Sequence, residues 1–310
     1  MSKQDLFRGL PVCSEEDCER AFFHAKWPHG FCCPRCGGVA FYCIASRNRR
    51  LFECRSCAHQ TSLTAGTILE GTRTPLLKWF QALFLMQTGI SAKLLAEVIQ
   101  VTYKTAWLIN HKLRHAIQVR DEGRPLEGDL QLYGDFYARP VVNRPSDPLE
   151  RDQPAVAGAA VDPENGEIAE VKIKRLSVAE FDRRLFGVES FGRFLWRHVA
   201  ADRTGKRRID IIGISDQNGV TPLGAIWRGA IGWLARTFGG IGPKHLQAYL
   251  DEYCYRVNVG AHGFETLLAQ CGCTRTITQR ELVRKQRSVR PIRWTVQTAG
   301  KKWSRRMSAS

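Results

Sequence analysis

Four cysteines carry the clearest chemistry in the chain. Cys33 and Cys36 in CCPRCGG, and Cys54 and Cys57 in ECRSCAHQ, form two CxxC pairs separated by 17 residues. Two thiolates three residues apart can face one centre from a tight knuckle. Two such knuckles supply the four ligands that tetrahedral zinc takes at about 2.3 Å. The other reading of the same residues is a set of reduced, buried cysteines acting as small hydrophobes. Cys32 and Cys43 lack a mate at ligand spacing and are left out of the set.

The segment holding these cysteines, 31–66, consists of Cys, Gly and aromatic residues in short pieces without a helical period. It reads as a small β-rich unit whose missing core a metal would replace. Before it, SEEDCERAFFHAKW reads as a helix within an N-terminal segment, 1–30. Ser14 is placed to cap that helix, Asp17 stands at the reciprocal position, and Phe22 and Trp27 are its apolar anchors. After it, a helical domain over 67–124 is expected. PLLKWFQALFLMQT carries Leu76, Leu77, Phe80, Leu83 and Phe84 at helical spacing, Gly89 ends that helix, SAKLLAEVIQ opens on a Ser cap, and TYKTAWLINHKLRHAI forms the third.

Such a trio fits a helix-turn-helix whose last helix enters a DNA major groove. In that reading the exposed start of the third helix presents Thr102, Tyr103, Lys104 and Thr105, and Lys93, His111, Lys112 and Arg114 lie near phosphates. The alternative is a plain three-helix bundle that packs against its neighbour.

After Pro125 the texture changes. DLQLYGDFY, PAVAGAAVD and GEIAEVKIKRL read as strands, the last two joined by the turn DPENG. VAEFDRRLFGV reads as a helix, FLWRHVAAD as a strand, and GAIWRGAIGWLARTF and PKHLQAYLDEYCYRVN as helices. The result is a mixed α/β domain over 125–262 and, for the whole chain, an α+β multidomain class. The remaining 263–310 form a basic extension. From Arg275 to Arg306 there are 11 Lys or Arg against the single acid Glu281, with Trp294 and Trp303 interleaved. Such a tail is expected to stay partly disordered until it meets its ligand, its tryptophans stacking on bases or anchoring it.

The chain of 310 residues carries 46 Lys and Arg against 30 Asp and Glu, a formal net charge of +16. That balance favours a polyanionic partner, with double-stranded DNA first. Arg284, Lys285, Arg287, Lys301 and Lys302 are the tail's expected phosphate contacts. No apolar run reaches the length of a membrane span, so no membrane partner is expected. The opening residues have acids scattered where a secretory signal needs an apolar segment, so a cytoplasmic, nucleoid-associated location is expected.

Several of these stretches resemble one family. WPHGFCCPRCGG, ECRSCAHQTSLTAGTILEGTRTPLLKWFQALFLM and SAKLLAEVIQVTYKTAWLINHKLRHAI are similar to the N-terminal half of the ISXO-like, zinc-ribbon insertion-sequence transposases. GPKHLQAYLDEYCYRVN is similar to their C-terminal signature. The resemblance implies a zinc ribbon holding structural Zn²⁺ and an RNase H-like domain. It also implies DDE-type chemistry, with two Asp and one Glu holding two Mg²⁺ ions for strand cleavage and transfer. Divalent ions of this kind require anionic oxygen ligands.

Carried over residue by residue, the first Asp falls on Tyr133, before Gly134. The second matches Asp202 in HVAAD, and the third, a Glu, falls on Gly224 in PLGAIW. Only Asp202 remains as a remnant. Asp135, two residues along the strand from Tyr133, Asp129, four residues back, and Asp216 are the acids that could replace the lost ones. The expectation is a transposase-derived DNA-binding protein without metal-dependent strand transfer, working as a homodimer or higher oligomer. The alternatives are an active transposase using Mg²⁺ on a rearranged acidic set, and a zinc-ribbon adaptor for RNA or an acidic protein.

Overall fold

The computed structural model describes residues 14–44, 50–138, 152–176, 188–202, 205–212, 221–287, 294–299 and 302–307. They fall into two compact units, Met1–Arg120 with Ala261–Gln279, and Asp121–Gly260 with Arg280–Ser310. The chain is a mixed α+β protein with an N-terminal four-cysteine cluster.

The first unit opens with helix α1, Glu15–Lys26. Its start is fixed as the sequence suggests: the Ser14 hydroxyl accepts from the Asp17 amide at 3.1 Å, and the Asp17 carboxylate accepts from the Ser14 amide at 2.9 Å. Its inner face buries Cys18 and Phe22 completely. Three short antiparallel strands follow, β1 Phe41–Ile44, β2 Leu51–Cys54 and β3 Gln60–Ser62, in the order β1-β2-β3. Phe23 of α1 and Trp27, which caps its C-terminus, meet Phe31, Phe41 and Phe52 with neighbouring ring centroids 4.9 to 6.2 Å apart. This small sheet therefore has an aromatic core beside its cysteines.

Helices α2 (Leu76–Met86), α3 (Ala92–Val98) and α4 (Tyr103–Glu122) come next. Ser91 caps α3 through the Leu94 amide, and Gly89 takes a positive φ of 75° in the turn before it. Pro75 provides no side-chain cap for α2. The carboxylate of Glu15 does so from α1, accepting from the Leu76 and Leu77 amides at 2.6 and 2.9 Å. Helix α8, Gly263–Cys273, completes the unit and meets α1 at Gly272, where any Cβ would stand 2.7 Å from the Ala25 carbonyl oxygen.

The second unit is built on a four-stranded sheet in the order β6-β5-β4-β7, comprising β4 Asp129–Tyr137, β5 Gln153–Val161, β6 Ile168–Arg175 and β7 Ile209–Ile212. The first three strands form an antiparallel meander, and β7 runs parallel to β4. One face carries helices α6 (Pro222–Phe238) and α7 (Pro243–Val259). There Tyr133, Tyr137, Ala157, Val171 and Ile173 meet Leu223, Trp227, Leu246 and Leu250. The other face packs Leu130, Leu132 and Val156 under Phe191 and Phe194 of α5, Val188–His198. Gly158 on β5 leaves room for the Phe194 ring, which a Cβ would strike.

The expected strand FLWRHVAAD is instead the end of α5, followed by a single bridge between Val199 and Leu126. Ser190, Phe191 and Phe194 are buried at helical spacing, and this period decides against a strand. The helix expected at VAEFDRRLFGV lies almost wholly outside the described residues. The described residues of the tail form helix α9, Gln279–Arg287, and an antiparallel pair, β8 Trp294–Ala299 with β9 Lys302–Met307. The Trp, Thr and Val of β8 are residues that suit a pleated backbone. No described helix is long and apolar enough to cross a membrane.

The outer edge of β6 is covered by α7 through side-chain amides. Asn258 accepts from the Val171 amide and donates to its carbonyl, both at 2.9 Å, while Gln247 accepts from the Arg175 amide and donates to the Ile173 carbonyl. The helix thus stands in for a fifth strand and blunts an aggregation-prone edge.

On the same strand, Lys172 and Lys174 are buried with Asp121 and Asp251. Lys172 donates to Asp121 at 2.7 Å and Lys174 to Asp251 at 2.6 Å, with a second Lys174 contact to Asp121. Burial raises the Asp121 carboxyl, but the Lys174 and Lys172 ammoniums outweigh it, so Asp121 ionises below the usual carboxylate range. A depressed carboxyl pKa contributes stability that is present above the unfolded value, near ~4, and lost as the pH falls through the folded value. Asp121→Asn is therefore expected to cost on the order of 3 kcal/mol in urea unfolding at pH 7. It is also expected to flatten the loss of stability below pH ~4.

Candidate functional site

The two knuckles of the ribbon have the same backbone design. The Cys33 amide donates to Gly38 and the Gly37 amide returns to Cys33; likewise the Cys54 amide donates to His59 and the Ala58 amide returns to Cys54. Each turn closes on a left-handed residue, Gly37 at φ 73° and Ala58 at φ 52°. Main-chain amides of Arg35 and Cys36 reach the Cys33 sulfur, and those of Ser56 and Cys57 reach the Cys54 sulfur.

The four sulfurs lie within 4.8 Å of one another, with Cys33 to Cys57 at 3.7 Å and Cys36 to Cys54 at 3.5 Å. Sulfurs bound to one tetrahedral zinc stand about 3.8 Å apart. The set fits structural Zn²⁺, and four thiolates leave no position for a substrate. Among the described residues it is the one grouping of His, Cys, Asp and Glu with metal-ligand geometry.

Protonation follows from the same contacts. Burial raises the Cys54 thiol, but the Ser56 and Cys57 amides and the Cys36 thiol donate to its sulfur and bring it down to about 6. The Gly38 amide lowers Cys36, yet as a donor to Cys57 and Cys54 it is pushed up to about 12. Gly38 sits against the cluster, where a Cβ would meet Ser56 Oγ at 2.9 Å and Cys54 Sγ at 3.1 Å.

The start of α4 presents what the sequence suggests. Thr102, Tyr103 and Lys104 are exposed, as is Lys93 on α3. Thr105 is half-buried, its amide held by the Thr102 hydroxyl at 3.2 Å. The middle of α4 does not. His111, Lys112 and Arg114 are 3%, 7% and 1% exposed, so they are removed from the phosphate-facing set. The Lys112 ammonium donates to the Ile68 and Glu70 carbonyls and to the Thr276 hydroxyl. Lys26 holds the same loop from its other side through the Ser62, Leu63 and Ala65 carbonyls, and burial pushes its ammonium down to about 8. Lys26 was not singled out in the sequence because its three acceptors lie some 40 residues away. In the tail Arg284 is exposed, whereas Lys301 and the side chains of Lys285, Arg287 and Lys302 lie outside the described residues.

Tyr133 stands in the middle of β4, 6% exposed, its ring packed toward Trp227 with centroids 6.4 Å apart. Its hydroxyl donates to Asp135 Oδ2 at 3.0 Å, and Asp135 Oδ1 accepts from the Phe136 amide at 2.7 Å. Gly224 is buried in the first turn of α6, its amide capped by the Thr221 hydroxyl.

Asp202 is elsewhere. It follows α5 rather than a strand, and it lines an open cleft with Glu127, Gly128 and Asp129 at the start of β4. Its two oxygens accept from the Gly205 and Arg207 amides. Asp129 and Tyr133 are four residues apart on one strand, about 13 Å. Asp202 and Asp135 therefore sit at opposite ends of β4. Asp216 lies outside the described residues.

A family model described as a transposase zinc-ribbon domain matches residues 13–60, the span holding all four cysteines. The chain is also 26% identical over 172 residues to an uncharacterized protein in transposable element ISH50 of Halobacterium salinarum, covering 54% of this chain and 55% of that protein. Together these matches support a transposase-related family. The chain spans about half the length of that relative. No solved structure matches it.

Two substitutions test the metal site. Cys54→Ser is expected to release about one zinc per chain, read by a chromophoric chelator, and to unfold the ribbon. Gly38→Ala is expected to weaken zinc retention against the same chelator while leaving the second unit's unfolding transition in place.

Proposed function

We propose that the chain is a transposase-type DNA-binding protein that does not carry out metal-dependent strand transfer. The observation that carries the reading is the buried phenol of Tyr133 on β4, which with the buried Gly224 in the first turn of α6 stands where the family resemblance implies carboxylates. Hard divalent ions need converging anionic oxygens, and among the described residues no carboxylates converge there. The strand order, with a parallel strand beside the first of an antiparallel meander, supports an RNase H-like reading of the second unit as a scaffold.

The zinc ribbon and the start of α4 are the proposed DNA-contacting parts, α4 acting as the recognition helix of a helix-turn-helix through Thr102, Tyr103, Lys104 and Thr105, with Lys93 at a phosphate. Their exposure and the chain's charge of +16 support this. The basic tail adds sequence-independent contacts, so affinity falls steeply with salt.

The zinc-loaded protein is expected to shift duplex DNA and to leave it uncut in Mg²⁺ or Mn²⁺. Lys104→Ala and Tyr103→Ala are each expected to weaken duplex binding about 5-fold or more with Tm nearly unchanged, a loss on the scale of one contact. Strand joining that is abolished by Asp135→Asn or Asp202→Ala would instead establish a rearranged acidic set. Preference for RNA or heparin over duplex would favour the adaptor reading.

A further inference from the structure

We propose that β7 is a pairing edge for a second copy of this chain, joining two sheets antiparallel about a two-fold axis at Ile209. β7 is the terminal strand of the sheet. Its parallel register sets Leu130 beside Ile209 and Leu132 beside Ile211, and the Leu130 amide donates to the Arg208 carbonyl at 2.9 Å. Backbone groups of alternate residues point to opposite sides of a strand, so Arg208 and Asp210 bond inward to β4 while Ile209 and Ile211 direct theirs outward. Among the described residues no strand pairs with that outer side, where the Arg207 amide donates to Asp202 at 3.0 Å.

The side chains make the same case. Leu130 and Leu132 are covered by α5, yet Ile209 and Ile211, on the same sheet face, are 41% and 55% exposed, and Trp196 on α5 is 83% exposed. Bare isoleucines on an open edge invite another strand. Charge selects which strand. Pairing β7 with itself about Ile209 sets Ile209 opposite Ile209 as a hydrogen-bonded pair and Arg207 opposite Ile211, where the Ile211 amide reaches the Arg207 carbonyl while the Arg207 amide stays on Asp202. Arg208 then faces Asp210 of the other copy, twice, in the closer non-hydrogen-bonded positions. Moving the axis to Asp210 would oppose two aspartates. The dyad at Ile209 is thus complementary in hydrogen bonding, apolar contact and charge together. It uses Arg207 to Ile211 alone and is independent of DNA binding.

The test is a charge swap read by light scattering at micromolar concentration. The protein is expected at twice its 35.1 kDa chain mass. D210R and R208D are each expected to run as monomers, and an equimolar mixture of the two is expected to restore the dimer, because every cross-pair is then opposite in sign. Retained zinc content verifies folding. As a second measurement, Ile209→Cys is expected to cross-link to itself on mild oxidation, since opposed residues of this type have Cα atoms about 5.5 Å apart. The cross-linked peptide is identified by mass spectrometry against the unsubstituted protein. A monomeric parent chain, single reversals that leave the dimer intact, a mixture that stays monomeric, or an Ile209→Cys chain that does not cross-link at that position would each overturn the proposal.

Discussion

Paired divalent cations can be held only where several anionic oxygens meet within a few tenths of an ångström, and this requirement governs how the second unit is read. On β4 the central position belongs to an aromatic ring that is part of the core under α6. The ring is integrated: it packs toward Trp227, and its hydroxyl donates to Asp135, the acid two residues along the strand. A metal centre at this position would require re-aiming Asp135 and supplying two more oxygens to an apolar surface. The sheet itself does not depend on such a centre. It is closed on one edge by the amides of α7 and fixed near β6 by a buried lysine and aspartate network.

The first unit is organised by a different economy of charge. Its loop between Ser62 and Glu70 presents main-chain carbonyls inward, and the ammoniums of Lys26 and Lys112 receive them. Burying these lysines is tolerated because each finds several oxygen partners. The four-cysteine cluster works alongside an aromatic box, so the ribbon is held by packing on one side and by sulfur geometry on the other. What remains exposed at the start of α4 is a threonine, a tyrosine and a lysine, which is the part of the proposed DNA-binding surface that the fold leaves available.

Local rules in the sequence carried a long way. The capping box at Ser14 and Asp17, the Ser91 cap, the span of β4 and the knuckle spacing all follow from contacts a few residues apart. Reading failed where partners are distant. The middle of α4 looked like a basic face, but Lys112 reaches a loop 42 to 44 residues back and Thr276 far ahead. FLWRHVAAD was ambiguous because it is short, and the burial of Phe191 and Phe194 at helical spacing, with Phe194 against Gly158, decides for a helix. Asp202 was matched by its flanks, and the fold places it at the opposite end of β4 from Asp135, a separation that no spacing rule encodes.

The most direct test of the central claim is anomalous diffraction from crystals of the zinc-loaded protein grown with manganese and a DNA duplex. The account predicts zinc among Cys33, Cys36, Cys54 and Cys57 and no manganese beside Tyr133 and Asp135. Two manganese ions about 4 Å apart at that position, held by carboxylates of this chain, would contradict it.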